Sequence, residues 1–176
     1  NYVYIVIYPQ DRENDVFEIL GDYVDEETAA RYALDRAVEE SEQLTGIDLF
    51  FAEFNHGSCL VKLFDYYDAA LVFDEAFTLY AALPKEDRPY RMMWYQTGPY
   101  FAYYYTNRYQ DVIDLATTTI SAADKPFLEE SWYWRGLAKI AMGDKDGGVE
   151  DIRTSLKYHP DFEPSLQQLQ NLGISQ

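Results

Sequence analysis

Residues 132–160 read WYWRGLAKIAMGDKDGGVEDIRTSLKYHP, and this stretch decides the fold. Its apolar and small residues recur at helical spacing, first at Trp132, Gly136 and Ile140, then at Val149, Ile152 and Leu156. Gly143-Asp144 breaks the pattern between the two halves, and Pro160 ends the second. The spacing predicts two short helices folded back on each other.

Trp132, Gly136, Gly143-Asp144, Gly148, Ile152, Ser155 and Pro160 stand at the intervals of a tetratricopeptide repeat, and the segment resembles that family. The layout recurs. Residues 51–82 repeat it, with Gly57 as the small residue, Phe64-Asp65-Tyr66 as the turn, and Ala69, Phe73 and Ala76 in the second helix. Residues 94–124 repeat it again, with Asn107-Arg108-Tyr109 as the turn and Val112, Ala116 and Thr119 following. The turns at Asp65, Arg108 and Asp144 lie 43 and 36 residues apart, against about 34 for the family. The loop 83–89 and a longer first helix account for the wider interval. Pro99 falls inside the predicted first helix of the middle copy and should kink it or leave a backbone carbonyl free. Gly57, Ala69, Gly136 and Gly148 mark predicted close helix approaches, with Phe73 and Ile152 filling the space between pairs. The resemblance implies an all-α solenoid of helix pairs coiled into a right-handed superhelix, each pair burying its apolar stripe against the next.

The 176 residues are enough for one domain with a sizeable core. No apolar run approaches the roughly 20 residues that span a bilayer, and no export-signal pattern is present. Cys59 is the single cysteine, so no internal disulfide can form. It stands where the family places a small apolar residue, which predicts a buried thiol with a raised pKa and no nucleophilic role. The net charge of −17 argues against nucleic acid and against anionic membrane surfaces.

Asn1 to Tyr8 is β-branched and aromatic, and Pro9 ends the run, so residues 1–10 read as a short N-terminal β-strand. With Asn1 in place of a start methionine, it reads as the last strand of an upstream domain; the alternative is an edge strand that pairs with another chain. Residues 11–48 hold 13 acidic and 3 basic residues. A short helix over 14–20 and a longer one over 25–44 are predicted there, with Asp25 as N-cap and Ala30, Ala33, Leu34, Ala37 and Val38 as the apolar face. These helices form a degenerate repeat capping the three pairs of residues 49–160. Their charge is either a solvated outer face or a docking site for a basic partner. Residues 161–176 carry the closing helix, 162–172.

Residues 89–106 are the most aromatic part of the chain, with Trp94, Tyr95, Tyr100, Phe101, Tyr103, Tyr104 and Tyr105. In the family the first helix of each pair lines the concave surface. The resemblance therefore places Phe51, Phe54, Ser58, Tyr95, Phe101, Tyr104, Tyr105 and Tyr133 on a partner-binding face, where rigid rings with polar tips suit peptide recognition. The competing reading makes most of these rings core.

No phosphate-cradling loop, zinc spacing or serine–histidine–acid set is found, so no catalytic, cofactor or metal residue is assigned. Some family members grip a C-terminal carboxylate with cationic and amide side chains; the matching positions hold Phe54, Ser58, Glu130 and Trp134, which cannot form that clamp. Residues 94–105 and 109–116 further resemble the C-terminal repeat region of bacterial proteins with an upstream papain-like, double-glycine-type cysteine peptidase domain. That resemblance implies an envelope or extracellular setting; without it, a cytoplasmic one follows. The expected function is non-enzymatic binding of a peptide, or of the adjacent catalytic domain, with a basic partner favoured by charge. The alternatives are a structural extension of the upstream domain, and a small-molecule or glycan site in the tyrosine-rich middle copy.

Overall fold

The computed structural model describes residues 26–41, 44–123 and 127–174. Among them there are eight α-helices and no strand: α1 Glu26–Ser41, α2 Gly46–Lys62, α3 Tyr66–Ala82, α4 Gly98–Tyr105, α5 Tyr109–Ala122, α6 Glu129–Ala141, α7 Lys145–Tyr158 and α8 Glu163–Asn171. Short 3-10 turns occupy Lys85–Asp87 and Tyr90–Trp94. The expected N-terminal strand, the helix at 14–20 and the Asp25 cap lie outside the described residues. No helix among those described is long and apolar enough to cross a membrane.

The chain divides into two compact units, one ending at Arg88 and one beginning at Pro89. The boundary falls in the loop 83–89. Within each unit every helix packs on the next in the chain: α1 on α2 on α3, and α4 on α5 on α6 on α7 on α8. Contacts between neighbours in sequence are what helix hairpins with short turns produce.

The three hairpin turns close in the same way. After α2, the Phe64 N–H donates to the Val61 carbonyl at 3.0 Å and the Asp65 N–H to the Leu60 carbonyl at 2.9 Å. Asn107 and Arg108 repeat this pair of bonds after α4, and Gly143 and Asp144 after α6. Such a closure needs a left-handed residue, supplied by Phe64 (φ 61°), Asn107 (φ 61°) and Gly143 (φ 95°). Only the last is glycine, so the first two hold a conformation that costs about 1 kcal/mol in an L-residue. Asp65 and Asp144 then cap α3 and α7, accepting from the Asp68 and Gly147 N–H groups.

Small residues stand where helices cross. A Cβ added at Gly57 would meet the Phe73 ring at 2.8 Å. At the α6–α7 crossing the two backbones touch: a Cβ on Gly148 would lie 2.5 Å from the Gly136 carbonyl oxygen. Ala69, Phe73, Ala76, Val112, Ala116 and Ile152 are fully buried, and Thr119 nearly so, as their spacing predicts. Ala30 is buried on α1, while Val38 at 41% exposure stands at the edge of the apolar face.

The middle copy departs from expectation. Its first helix starts at Gly98, not Trp94, and Pro99 sits in the first turn. Proline has no N–H to donate there and its fixed φ suits the position, so it starts the helix instead of kinking it. The segment before it, Tyr90–Trp94, tightens into a 3-10 turn that packs on α5.

Candidate functional site

The aromatic run of α4 is sorted by helical periodicity. Tyr100 (0% exposed) and Tyr103 (4%) face the core, while Phe101 and Tyr104 are half-buried and Tyr105 is 55% exposed. The Tyr100 hydroxyl lies 3.0 Å from the Ser131 hydroxyl on α6. Burial raises the Tyr100 pKa, with Ser131 and Thr119 pulling against it, so the ring is a neutral, hydrogen-bonded part of the core.

The outward rings gather around Trp134 of α6. Phe101 lies 4.5 Å from the Trp134 ring, centroid to centroid, Tyr104 5.5 Å and Tyr105 6.4 Å. Tyr104 also meets Tyr109 at the start of α5, at 5.3 Å edge-on. On the other side Tyr133 joins Trp134 at 5.6 Å and Phe162 at 5.7 Å, and the His159 ring lies 5.7 Å from Phe162. Trp134 itself is 5% exposed, so it is the floor of a surface whose upper rings reach solvent. Mostly edge-on and tilted pairs of this kind are each worth about 0.5–1.5 kcal/mol beyond area burial, which holds the rings in place before any ligand arrives. Burial, together with the neighbouring tyrosines, raises the hydroxyl pKa of Tyr104 and Tyr133. Their hydroxyls are thus uncharged hydrogen-bonding tips at neutral pH.

Two carboxylates from the first turn of α6 border this face. Glu129 lies 3.2 Å from His159 Nδ1. Glu130 accepts from the Thr97 hydroxyl; burial, then the charge of Glu129, raises its pKa, and the Thr97 bond opposes them. Thr97, Phe101 and Tyr105 form one i, i+4 stripe on α4 and its cap, and Glu130 and Trp134 form another on α6. The stripes meet at two levels, Thr97 with Glu130 and Phe101 with Trp134.

A separate ionic cluster ties α6 to α7. Asp151, 4% exposed, receives both forks of Arg135 at 2.8 Å and the Lys139 ammonium at 2.7 Å. Arg135 also lies over the Trp132 ring and reaches the Thr117 hydroxyl. Every charge here is answered within the helix pair, so the cluster is structural.

The expected binding residues divide. Phe101, Tyr104, Tyr105 and Tyr133 belong to the ring face. Tyr95 is 78% exposed but makes no ring contact among the described residues. Phe51, Phe54 and Ser58 belong to the N-terminal unit. There Phe54 is corrected from a surface to a core residue: it is 2% exposed and packs edge-on against Phe73 at 5.1 Å and Phe77 at 6.3 Å, and tilted against Phe50 at 5.9 Å. Phe51 is half-buried beside Phe50, and the Ser58 hydroxyl donates to the Phe54 carbonyl at 2.9 Å. Sequence reading missed Trp134 as the centre of the face, and Tyr109 and Phe162 as its edges. Cys59 is buried, and burial raises its pKa as expected.

The burial of Tyr100 and Tyr103 keeps both rings out of any open cleft of the middle copy. One open cavity, of about 450 Å³, is lined by Lys145, Asp146, Val149, Glu150, Arg153 and Ile174, none of which belongs to the ring face.

No model of a known protein family matches the chain, and no curated protein or solved structure matches it.

Proposed function

We propose that the chain is a tetratricopeptide-type repeat module that has no catalytic role of its own and binds an extended, basic peptide segment on the ring face of its C-terminal unit. The observation that carries this reading is the set of half-buried rings from α4 and α6 packed on the buried floor of Trp134, extended through Tyr133 to Phe162 at the α8 entry. Such a surface offers rigid apolar area with polar tips, so little side-chain entropy is lost on binding. Support for the repeat type comes from the three equivalent turns, at Phe64-Asp65, Asn107-Arg108 and Gly143-Asp144, and from the Gly57–Phe73 and Gly136–Gly148 approaches. A basic partner fits the Glu130 carboxylate that borders the face.

The test is selection of random peptides displayed on phage against the full chain, followed by titration of synthetic copies. Replacing Phe101, Tyr105 and Tyr133 together by serine should weaken the selected peptides at least a hundredfold while the helical signal is retained. Peptides that bind the triple variant as tightly as the parent would place recognition elsewhere and end this reading.

A further inference from the structure

Glu130 is the one feature of the ring face that its core packing does not explain. A carboxylate withdrawn from water is normally met by a cation or several donors. Asp151 obeys this, held by Arg135 and Lys139. Among the described residues Glu130 has no cation, and its hydrogen bond comes from the neutral Thr97 hydroxyl. It is half-buried, one helical turn before Trp134. The same turn separates Thr97 from Phe101, so the backbone positions of Glu130 and of the Phe101–Trp134 ring pair differ by one turn, about 6 Å of helical rise.

We propose that this corner of the face is a seat for one cationic side chain, a lysine or arginine of the bound peptide. Its aliphatic stem lies along the half-buried ring of Phe101, which covers Trp134, and its charged head meets the Glu130 carboxylate. The inference rests on the peptide-binding reading above and adds the chemistry of one recognised residue. Three physical facts converge on it. Ring faces attract cations through their quadrupole, most strongly when water is excluded. A long basic side chain presents an apolar stem and a charged tip, which suits a ring and a carboxylate one helical turn apart. A partly desolvated carboxylate with unused lone pairs gains a charge-assisted hydrogen bond, stronger than one between neutral groups.

The probes are N-acetyl-arginine amide and its neutral isostere N-acetyl-citrulline amide. Each is titrated into the full chain, with NMR observation of the Trp134 indole and the ring protons of Phe101 and Tyr133. The arginine probe should shift these signals saturably and bind at least tenfold more tightly than the citrulline probe. Glu130→Gln should reduce the arginine probe to the citrulline level, and Phe101→Leu should weaken it with the carboxylate intact. Glu86→Gln, on the exposed turn of the N-terminal unit, removes the same charge elsewhere and should leave the titration unchanged. Equal binding of the two probes overturns the proposal, as does an arginine affinity indifferent to Glu130→Gln or lost equally with Glu86→Gln. Display-selected peptides that shift the same ring signals but carry no basic residue overturn the cation seat alone and leave peptide binding standing. If neither probes nor selected peptides move the ring signals, both proposals fall.

Discussion

Phe54 and Tyr133 stand in the same place in their helices, three residues before the glycine that meets the following helix, yet they have opposite fates. Phe54 is sealed by Phe50, Phe73 and Phe77. Tyr133 keeps part of its ring in water, bounded by Trp134 and Phe162. The preceding turn differs as well: Phe50 and Phe51 in the N-terminal unit correspond to Glu129 and Glu130 in the C-terminal one. One backbone plan therefore serves two ends. In the first unit the rings of the leading helix close the core; in the second they form a surface bordered by carboxylates. The burial of an aromatic ring is set by what the next helices bring opposite it, not by its distance from the glycine in its own helix.

The comparison can be broken most forcefully at those two rings. Phe54→Ala should lower the unfolding free energy by about 3–5 kcal/mol, as truncation of a sealed aromatic does. Tyr133→Ala should cost less, about 1–2 kcal/mol, because part of its ring already reaches water. Urea unfolding of both variants checks this, and equal losses would erase the distinction. Next in size is Gly148→Ala. Its new methyl would press on the Gly136 carbonyl, which cannot rotate away as a side chain can, so about 2–3 kcal/mol should be lost. Gly57→Ala meets the Phe73 ring instead, a side chain that can shift where a carbonyl cannot, so thermal melts should show a smaller loss than for Gly148→Ala.

A smaller effect sharpens the account of the carboxylates. The raised pKa of Glu130 means that the folded state holds its proton more tightly than the unfolded chain does. Stability from this group is then fully present below the ordinary carboxylate range and is lost as pH rises through the raised folded value. Glu130→Gln should accordingly raise the melting temperature at pH 7, with the gain fading as pH falls through that window and vanishing below it. A gain independent of pH would mean that the charge is not what burial opposes. The smallest effect concerns the turns. Phe64, 78% exposed and left-handed, should gain about 0.5–1 kcal/mol on replacement by glycine, whereas Gly143 already has that freedom.

Much of this architecture is legible in the sequence because its causes are local. Gly143-Asp144 and Asn107-Arg108 announce their turns through residues that tolerate or favour the left-handed closure, and the small residues announce the crossings at Gly57 and Gly136–Gly148. Burial of Val112, Ala116 and Ile152 follows from a period of 3.6. Other features depend on partners far along the chain. Phe54 and Tyr133 look alike until Phe77 and Phe162 are placed. Trp134 reads as one aromatic among many, and becomes a floor only when α4 lies beside α6. The pairing of Arg135 and Lys139 with Asp151 leaves no mark in an acidic sequence, because it joins residues on two helices across a tight crossing. Pro99 misleads for a different reason, since a proline is equally at home in a first turn and disruptive in an interior one.

The central claim is that the ring face of the C-terminal unit is for binding and dispensable for folding. The most direct measurement is a paired one on the Tyr105→Ser/Tyr133→Ser variant of the full chain: its unfolding free energy in urea, and its affinity for a display-selected peptide. The account predicts a stability within about 2 kcal/mol of the parent and an affinity reduced at least a hundredfold. A variant that unfolds readily yet binds the peptide normally whenever it is folded would contradict it.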